Sequence, residues 1–70
     1  MMPDHFVIAN GEKIGTQFPC TVEQFLKARK LLPRSVVVEH NGQAVAPSEF
    51  GQRLLAEGDR LEIITMVAGG

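Results

Sequence analysis

Apolar and polar positions along this chain alternate in short bursts, interrupted by one segment of helical spacing. Phe6 to Ala9 is apolar and ends in Asn10-Gly11. Both residues of that pair tolerate the positive φ of a type I′ turn, so the pair predicts a hairpin. The return strand, Glu12 to Phe18, places Ile14, Thr16 and Phe18 on one face, and Pro19 ends it.

Periodicity then changes. Thr21 is placed to cap a helix, and Gln24 completes a capping box of the S/T-x-x-E/Q kind. Cys20 and Phe25 occupy the two positions of a hydrophobic staple. Val22, Phe25 and Leu26 share one helical face with Leu32 further along it, while Glu23, Lys27 and Lys30 take the other side. Leu31-Leu32 before Pro33 predicts the stop, because the residue preceding proline avoids helical φ/ψ. The expected helix has about 11 residues.

Val36-Val37-Val38 is the most strand-like run and closes on Asn41-Gly42, a second hairpin signal. Gln43 to Ala46 returns. Pro47 and Ser48 open one helical turn through Phe50, and Leu54 and Leu55 follow. Gly58-Asp59 reads as a turn. Arg60 to Val67 reads as the last strand, with Leu61, Ile63, Thr65 and Val67 on one face and Ile64 and Met66 on the other. The first and last strands are apolar on both faces, which predicts central positions. The order is β-β-α-β-(β)-β: an α+β fold in which one helix covers one face of a mixed four- to five-stranded sheet.

Composition narrows the function classes. Seventy residues make one small domain, expected to span 1–70. With 44% hydrophobic and 21% charged residues the chain reads as globular. A net charge of −1 gives no overall footprint for nucleic acid or an anionic membrane, and there is neither Trp nor Tyr to build a stacking platform. Protein partners are expected instead. A single cysteine, Cys20, excludes an internal disulfide. Without a signal-peptide pattern or an apolar run of about 20 residues, a cytoplasmic protein is expected.

Internal catalytic machinery is hard to find. His5 and His40 stand at no metal-ligand spacing and read as ordinary surface or sheet residues. No metal and no bound cofactor are expected. Cys20 has no neighbouring His or Lys to activate it and reads as packing. Asp59 reads as a turn residue, and Glu49, Glu57 and Glu62 as solvated.

The informative chemistry is in the tail. Ala68-Gly69-Gly70 follows the last strand. A terminal Gly-Gly pair arises by chance in about one chain in two hundred. Its carboxylate, with a pKa near ~3.5, is anionic and a poor electrophile. Two residues without Cβ let the tail thread a narrow channel and approach a partner's backbone. Adenylation there would turn the carboxylate into an anhydride open to a sulfur or nitrogen nucleophile. The partner would supply nucleotide site, metal and catalyst.

These residues resemble the sulfur carriers of the ubiquitin-like β-grasp superfamily, and most closely the ThiS family of thiamine-biosynthesis sulfur carriers, related to the MoaD family. The resemblance rests on Asn10-Gly11, on Thr21-Val22 with Leu26, on Val38 to Val45, and on Pro47, Ser48 and Phe50. It continues through Leu54, Gly58-Asp59, Leu61-Glu62-Ile63 and Val67-Ala68-Gly69-Gly70. It departs at Ser48-Glu49, where many family members carry a basic residue after the proline. It favours Val7 and Ala9 as core-facing. The residues alone leave that parity open, since Phe6 and Ile8 are equally apolar.

The resemblance implies a protein co-substrate rather than an enzyme. A ThiF-type adenylyltransferase, related to the ubiquitin-activating enzymes, would adenylate Gly70 with ATP and Mg²⁺. Sulfur from a desulfurase or rhodanese persulfide would give a thiocarboxylate. A ThiG-type thiazole synthase would receive that sulfur. Gly70 and Gly69 form the reacting end of a flexible tail, 68–70. Val67, Ala68, Met66, Ile64 and Val37 form the expected partner contact, because an exposed apolar patch leading to the tail marks a docking surface. Alternatives are a molybdopterin synthase small subunit, a ubiquitin-like modifier, and a β-grasp binding module with no reacting terminus.

Overall fold

The computed structural model describes residues 5–66. Seven strands and one α-helix follow in the order β1 (Phe6–Ala9), β2 (Glu12–Gly15), β3 (Cys20–Thr21), α1 (Val22–Ala28), β4 (Val36–His40), β5 (Gln43–Val45), β6 (Leu54–Leu55) and β7 (Arg60–Thr65). Single 3-10 turns cover Pro33–Ser35 and Pro47–Glu49.

Five strands form one mixed sheet in the order β2-β1-β7-β4-β5, and β3 and β6 form a separate short ladder. The two apolar strands are central, as their patterning requires. β1 and β7 run parallel, with Ile8 opposite Arg60 and Ala9 opposite Leu61, while the other pairs are antiparallel. Helix α1 covers one face of the sheet. This is the β-grasp arrangement.

Both hairpin turns form at the Asn-Gly pairs. Asn10 and Asn41 each have φ of 52°, with the following glycines at 82° and 85°. Val7 is fully buried and Ala9 packs against the core, which settles the parity of β1. Phe6 and Ile8 are half-buried on the open face. There Lys13 Nζ stands over the Phe6 ring, 4.4 Å from its centroid, a cation–π contact.

The capping box on α1 is present: Thr21 Oγ1 accepts from the Gln24 amide at 3.1 Å, and Gln24 Oε1 accepts from the Thr21 amide at 2.9 Å. The helix is shorter than the pattern suggested. It stops at Ala28, not beside Pro33, because Lys30 adopts the left-handed conformation at φ 62°. The Lys30 and Leu31 amides then donate to the Lys27 and Leu26 carbonyls at 2.9 and 2.8 Å, which is a Schellman close. Leu31 therefore turns into the core, and Leu32, expected on the buried helical face, is 66% exposed.

Two other expectations change. β2 ends at Gly15 rather than running to Phe18, although Phe18 still packs on the core. Cys20 and Leu54-Leu55, which the pattern places outside any strand, form a ladder of their own. They pair as β3 and β6, with Cys20 opposite Leu55 and Thr21 opposite Leu54.

Candidate functional site

The site begins where β7 ends. Val37 on β4 lies directly opposite Ile64 on β7. Val37, Ile64 and Met66 are 46%, 63% and 49% exposed, whereas Leu61 and Ile63 on the alternate positions are buried. Period-2 alternation thus sends one set of β7 side chains to the helix and the other to an open face. The Met66 amide donates to the Ser35 carbonyl at 2.8 Å, which carries the β4–β7 pairing past the last strand residue. Val67, Ala68, Gly69 and Gly70 lie outside the described residues.

The backbone at the tail root is held from the other side by a residue first read only as a turn former. Asn10 Oδ1 accepts from the Ile63 amide at 2.7 Å, and Asn10 Nδ2 donates to the Ile63 carbonyl at 3.0 Å. Its amide group stands in for a peptide and lengthens the short β1–β7 ladder towards the tail. Nothing in the local pattern signals this second role, since the left-handed turn alone already accounts for an asparagine there.

The opposite end of the sheet carries a buried polar network. Arg53 Nε donates to His40 Nδ1 at 2.8 Å, so His40 carries its proton on Nε2 and donates it to Asp59 Oδ2 at 2.7 Å. Asp59 also accepts from the Ala56 amide at 2.8 Å and from Asn41 Nδ2 at 3.2 Å. Burial alone would raise the Asp59 pKa; the hydrogen bonds from His40, Ala56 and Asn41 outweigh it and hold the carboxyl below its ordinary value. His40 is 7% exposed and is the sheet residue of the two histidines, at the end of β4, and Asp59 is a network hub as well as a turn residue, its amide donating to the Ala56 carbonyl at 3.0 Å. His5 instead sits at the surface, 3.3 Å from Glu57.

Cys20 packs against the core, and burial pushes its thiol pKa up. Its Sγ donates weakly to the Thr21 carbonyl at 3.3 Å. A raised pKa leaves it a thiol at neutral pH, which fits packing rather than nucleophilic chemistry. Among the described residues, no three His, Cys, Asp or Glu side chains gather into a metal-binding group. No helix there is long and apolar enough to cross a membrane.

The β-grasp fold agrees with the family that the motifs resemble. The family model described as "ThiS family" matches residues 7–70. The chain belongs to the ThiS family.

Solved structures agree with that assignment. The crystal structure of the thiamine biosynthesis protein ThiS from Geobacter metallireducens superposes with a TM-score of 0.78 at 25% identity, covering 93% of this chain and 99% of that one. The solution structure of a thiamine biosynthesis protein from the same organism gives 0.76 at 25% identity, covering 93% and 87%. This ThiS-family chain is also similar to two thiazole synthases. It is 34% identical over 64 residues to that of Paramagnetospirillum magneticum and 31% identical over 61 residues to that of Magnetococcus marinus. It spans about a fifth of the length of these curated relatives, 20% and 19%, against 91% and 87% of its own.

Proposed function

We propose that this ThiS-family chain is a sulfur carrier for thiazole formation in thiamine biosynthesis, a co-substrate on which partner enzymes act. One observation carries the reading: the central strand β7 delivers an apolar, exposed root, Ile64 and Met66, directly into the sequence Val67-Ala68-Gly69-Gly70.

The chemistry follows from the carboxylate. A Gly70 oxygen attacks the α-phosphorus of ATP, held with Mg²⁺ by a ThiF-type adenylyltransferase, and pyrophosphate leaves. Sulfur from a desulfurase or rhodanese persulfide displaces AMP from the acyl adenylate, giving an acyl disulfide. A thiol then attacks the partner-side sulfur and releases the thiocarboxylate. Gly69 and Gly70 carry no side chain to crowd these attacks. Val37, Ile64, Met66, Val67 and Ala68 contact the partner. The acceptor is a ThiG-type thiazole synthase. Support comes from relatives named thiazole synthase that hold a stretch similar to this chain within one polypeptide.

Tandem mass spectrometry of the protein from its native cells tests this. The oxygen-to-sulfur exchange must be localised to Gly70, because oxidation of any of the three methionines adds nearly the same mass. Alkylation that traps a thiocarboxylate, with Cys20 as internal control, separates the two. A sulfur-bearing Gly70 supports the carrier. An isopeptide at Gly70 makes the chain a modifier. A permanently free carboxylate in the presence of the native partners makes it a binding module. Deletion of Gly70 is expected to abolish adenylation while leaving the fold unchanged.

A further inference from the structure

Charge is distributed unevenly along the chain. Four of the seven basic residues, Lys27, Arg29, Lys30 and Arg34, fall within positions 27–34, a stretch without an acid. The other three stand against all eight carboxylates. The near-neutral whole therefore divides into a charge of +4 over eight residues and −5 over the remainder.

All four basic side chains are exposed. Lys27 approaches Glu23 at 4.0 Å; Arg29, Lys30 and Arg34 make no ion pair among the described residues. The segment also lies beside the tail root. It runs from the last turn of α1 into the 3-10 turn Pro33–Ser35, whose Ser35 carbonyl accepts the Met66 amide at 2.8 Å. Leu32, within it, is 66% exposed.

We infer that segment 27–34 is the electrostatic half of the docking surface, and that it fits a protein partner with an acidic rim around the site that receives the tail. The inference rests on the carrier reading above. The apolar patch supplies dry contact, and the basic rim supplies attraction at a distance and a fixed orientation. Its two arginines match carboxylates in a planar, bidentate way that lysine does not. A polyanion such as nucleic acid or an anionic bilayer fits less well. A continuous polyanion would also meet the remainder of the chain at −5, with Glu39 and Glu62 on the open face, whereas a localised acidic rim need face only segment 27–34.

The test compares two variants of equal net charge against the ThiF-type adenylyltransferase of the same organism. Arg29→Gln/Arg34→Gln removes charge from the rim. Gln43→Glu/Gln52→Glu lowers net charge by the same amount away from the rim, and a Glu at 43 still accepts from Arg53. Association is followed by stopped flow at low and high salt, and adenylation of Gly70 is measured in parallel. The rim variant is expected to associate about tenfold more slowly at low salt, with its salt dependence flattened, the lower end of the range for electrostatic steering. The control changes less than about twofold on the same scale. Arg34→Gln alone, with a thermal melt, guards against disturbance of the helix end by the Arg29 change.

Equal slowing by both variants, or none by the rim variant, overturns the inference. So does binding of the wild type to phosphatidylserine vesicles or duplex DNA that the rim variant loses while enzyme association is unchanged. A wild type that is adenylated as fast as the rim variant sinks only the rim. A wild type that is never adenylated sinks the carrier reading and the rim with it.

Discussion

His40 donates to Asp59 across 2.7 Å, and the Asp59 carboxylate ties together the end of β4, the Asn41 turn and the Ala56 turn through three hydrogen bonds. A carboxyl held below its ordinary pKa contributes stability that is present above the unfolded value and lost as pH falls through the folded one. Burial works against this direction, and the hydrogen bonds from His40, Ala56 and Asn41 prevail. Asp59→Asn is expected to cost about 1–3 kcal/mol at pH 7: its one oxygen can take the Oδ2 place and accept from His40 and Ala56, but the negative charge is lost and the new NH₂ then faces the Asn41 Nδ2 donor. The gap between wild type and variant should close as pH drops below about 4. Urea titrations from pH 7 to pH 3 check both. A gap that persists at pH 3 would mean that geometry rather than charge holds the network.

Asn10 makes a separable contribution. Asn10→Gly keeps the φ of 52° accessible but removes both bonds to Ile63. A loss of about 1 kcal/mol is expected, since water replaces part of what is removed. That is a fall in Tm of about 4–8 °C for a domain this small. An unchanged Tm would show that the β4 side alone secures the tail root.

Glu39 and Glu62 are direct cross-strand partners on the open face, and both are exposed. Like charges in that position are unfavourable. Glu62→Gln should raise stability by about 0.2–1 kcal/mol. The gain should shrink in 1 M salt, where the Debye length is about 3 Å. Melting curves at two salt concentrations decide it. A gain independent of salt would point to strand propensity instead of charge.

Much of this fold was legible because its signals are local. Two Asn-Gly pairs, one capping box and one Gly-Asp turn each specify their own geometry within four residues. The parity of β7 followed from simple alternation, so the Val37, Ile64 and Met66 patch was legible too. The end of α1 was not, because the left-handed position is filled by Lys30 instead of glycine, and Leu31-Leu32 continued the apolar spacing. The β3–β6 ladder was missed because two residues are too few to show a period. The partners of His40 and Asn10 were hidden for another reason. Asp59 and Ile63 lie 19 and 53 positions away from them, and only the folded chain brings them together.

Lys30→Gly tests that account of the helix end. Glycine takes a φ of 62° without the Cβ clash, which is worth roughly 0.5–1 kcal/mol after its larger unfolded-state entropy is subtracted. A higher Tm is expected, together with slower association at low salt from the lost rim charge. A lower Tm would mean that the Lys30 side chain contributes packing that outweighs the strain.

Ile64→Ser probes the apolar patch. Ile64 is 63% exposed, so its loss should change stability by less than about 1 kcal/mol. On the carrier reading, binding to a ThiF-type adenylyltransferase should weaken at least tenfold, the effect of losing a contact worth about 1.4 kcal/mol or more. Unchanged binding would place the docking surface elsewhere on the sheet.

The position of β7 between β1 and β4 has a mechanical consequence. On the carrier reading proposed above, the chain is drawn into one enzyme by its tail and later pulled free to meet another. A pull along β7 from its Thr65 end acts across hydrogen bonds on both of its flanks. Those bonds are loaded together in shear, not opened one at a time as they would be along an edge strand. The Asn10 clamp on Ile63 adds resistance near the point where the load enters. On the carrier reading, a sheet held in this way keeps its shape while its end is drawn into one partner after another.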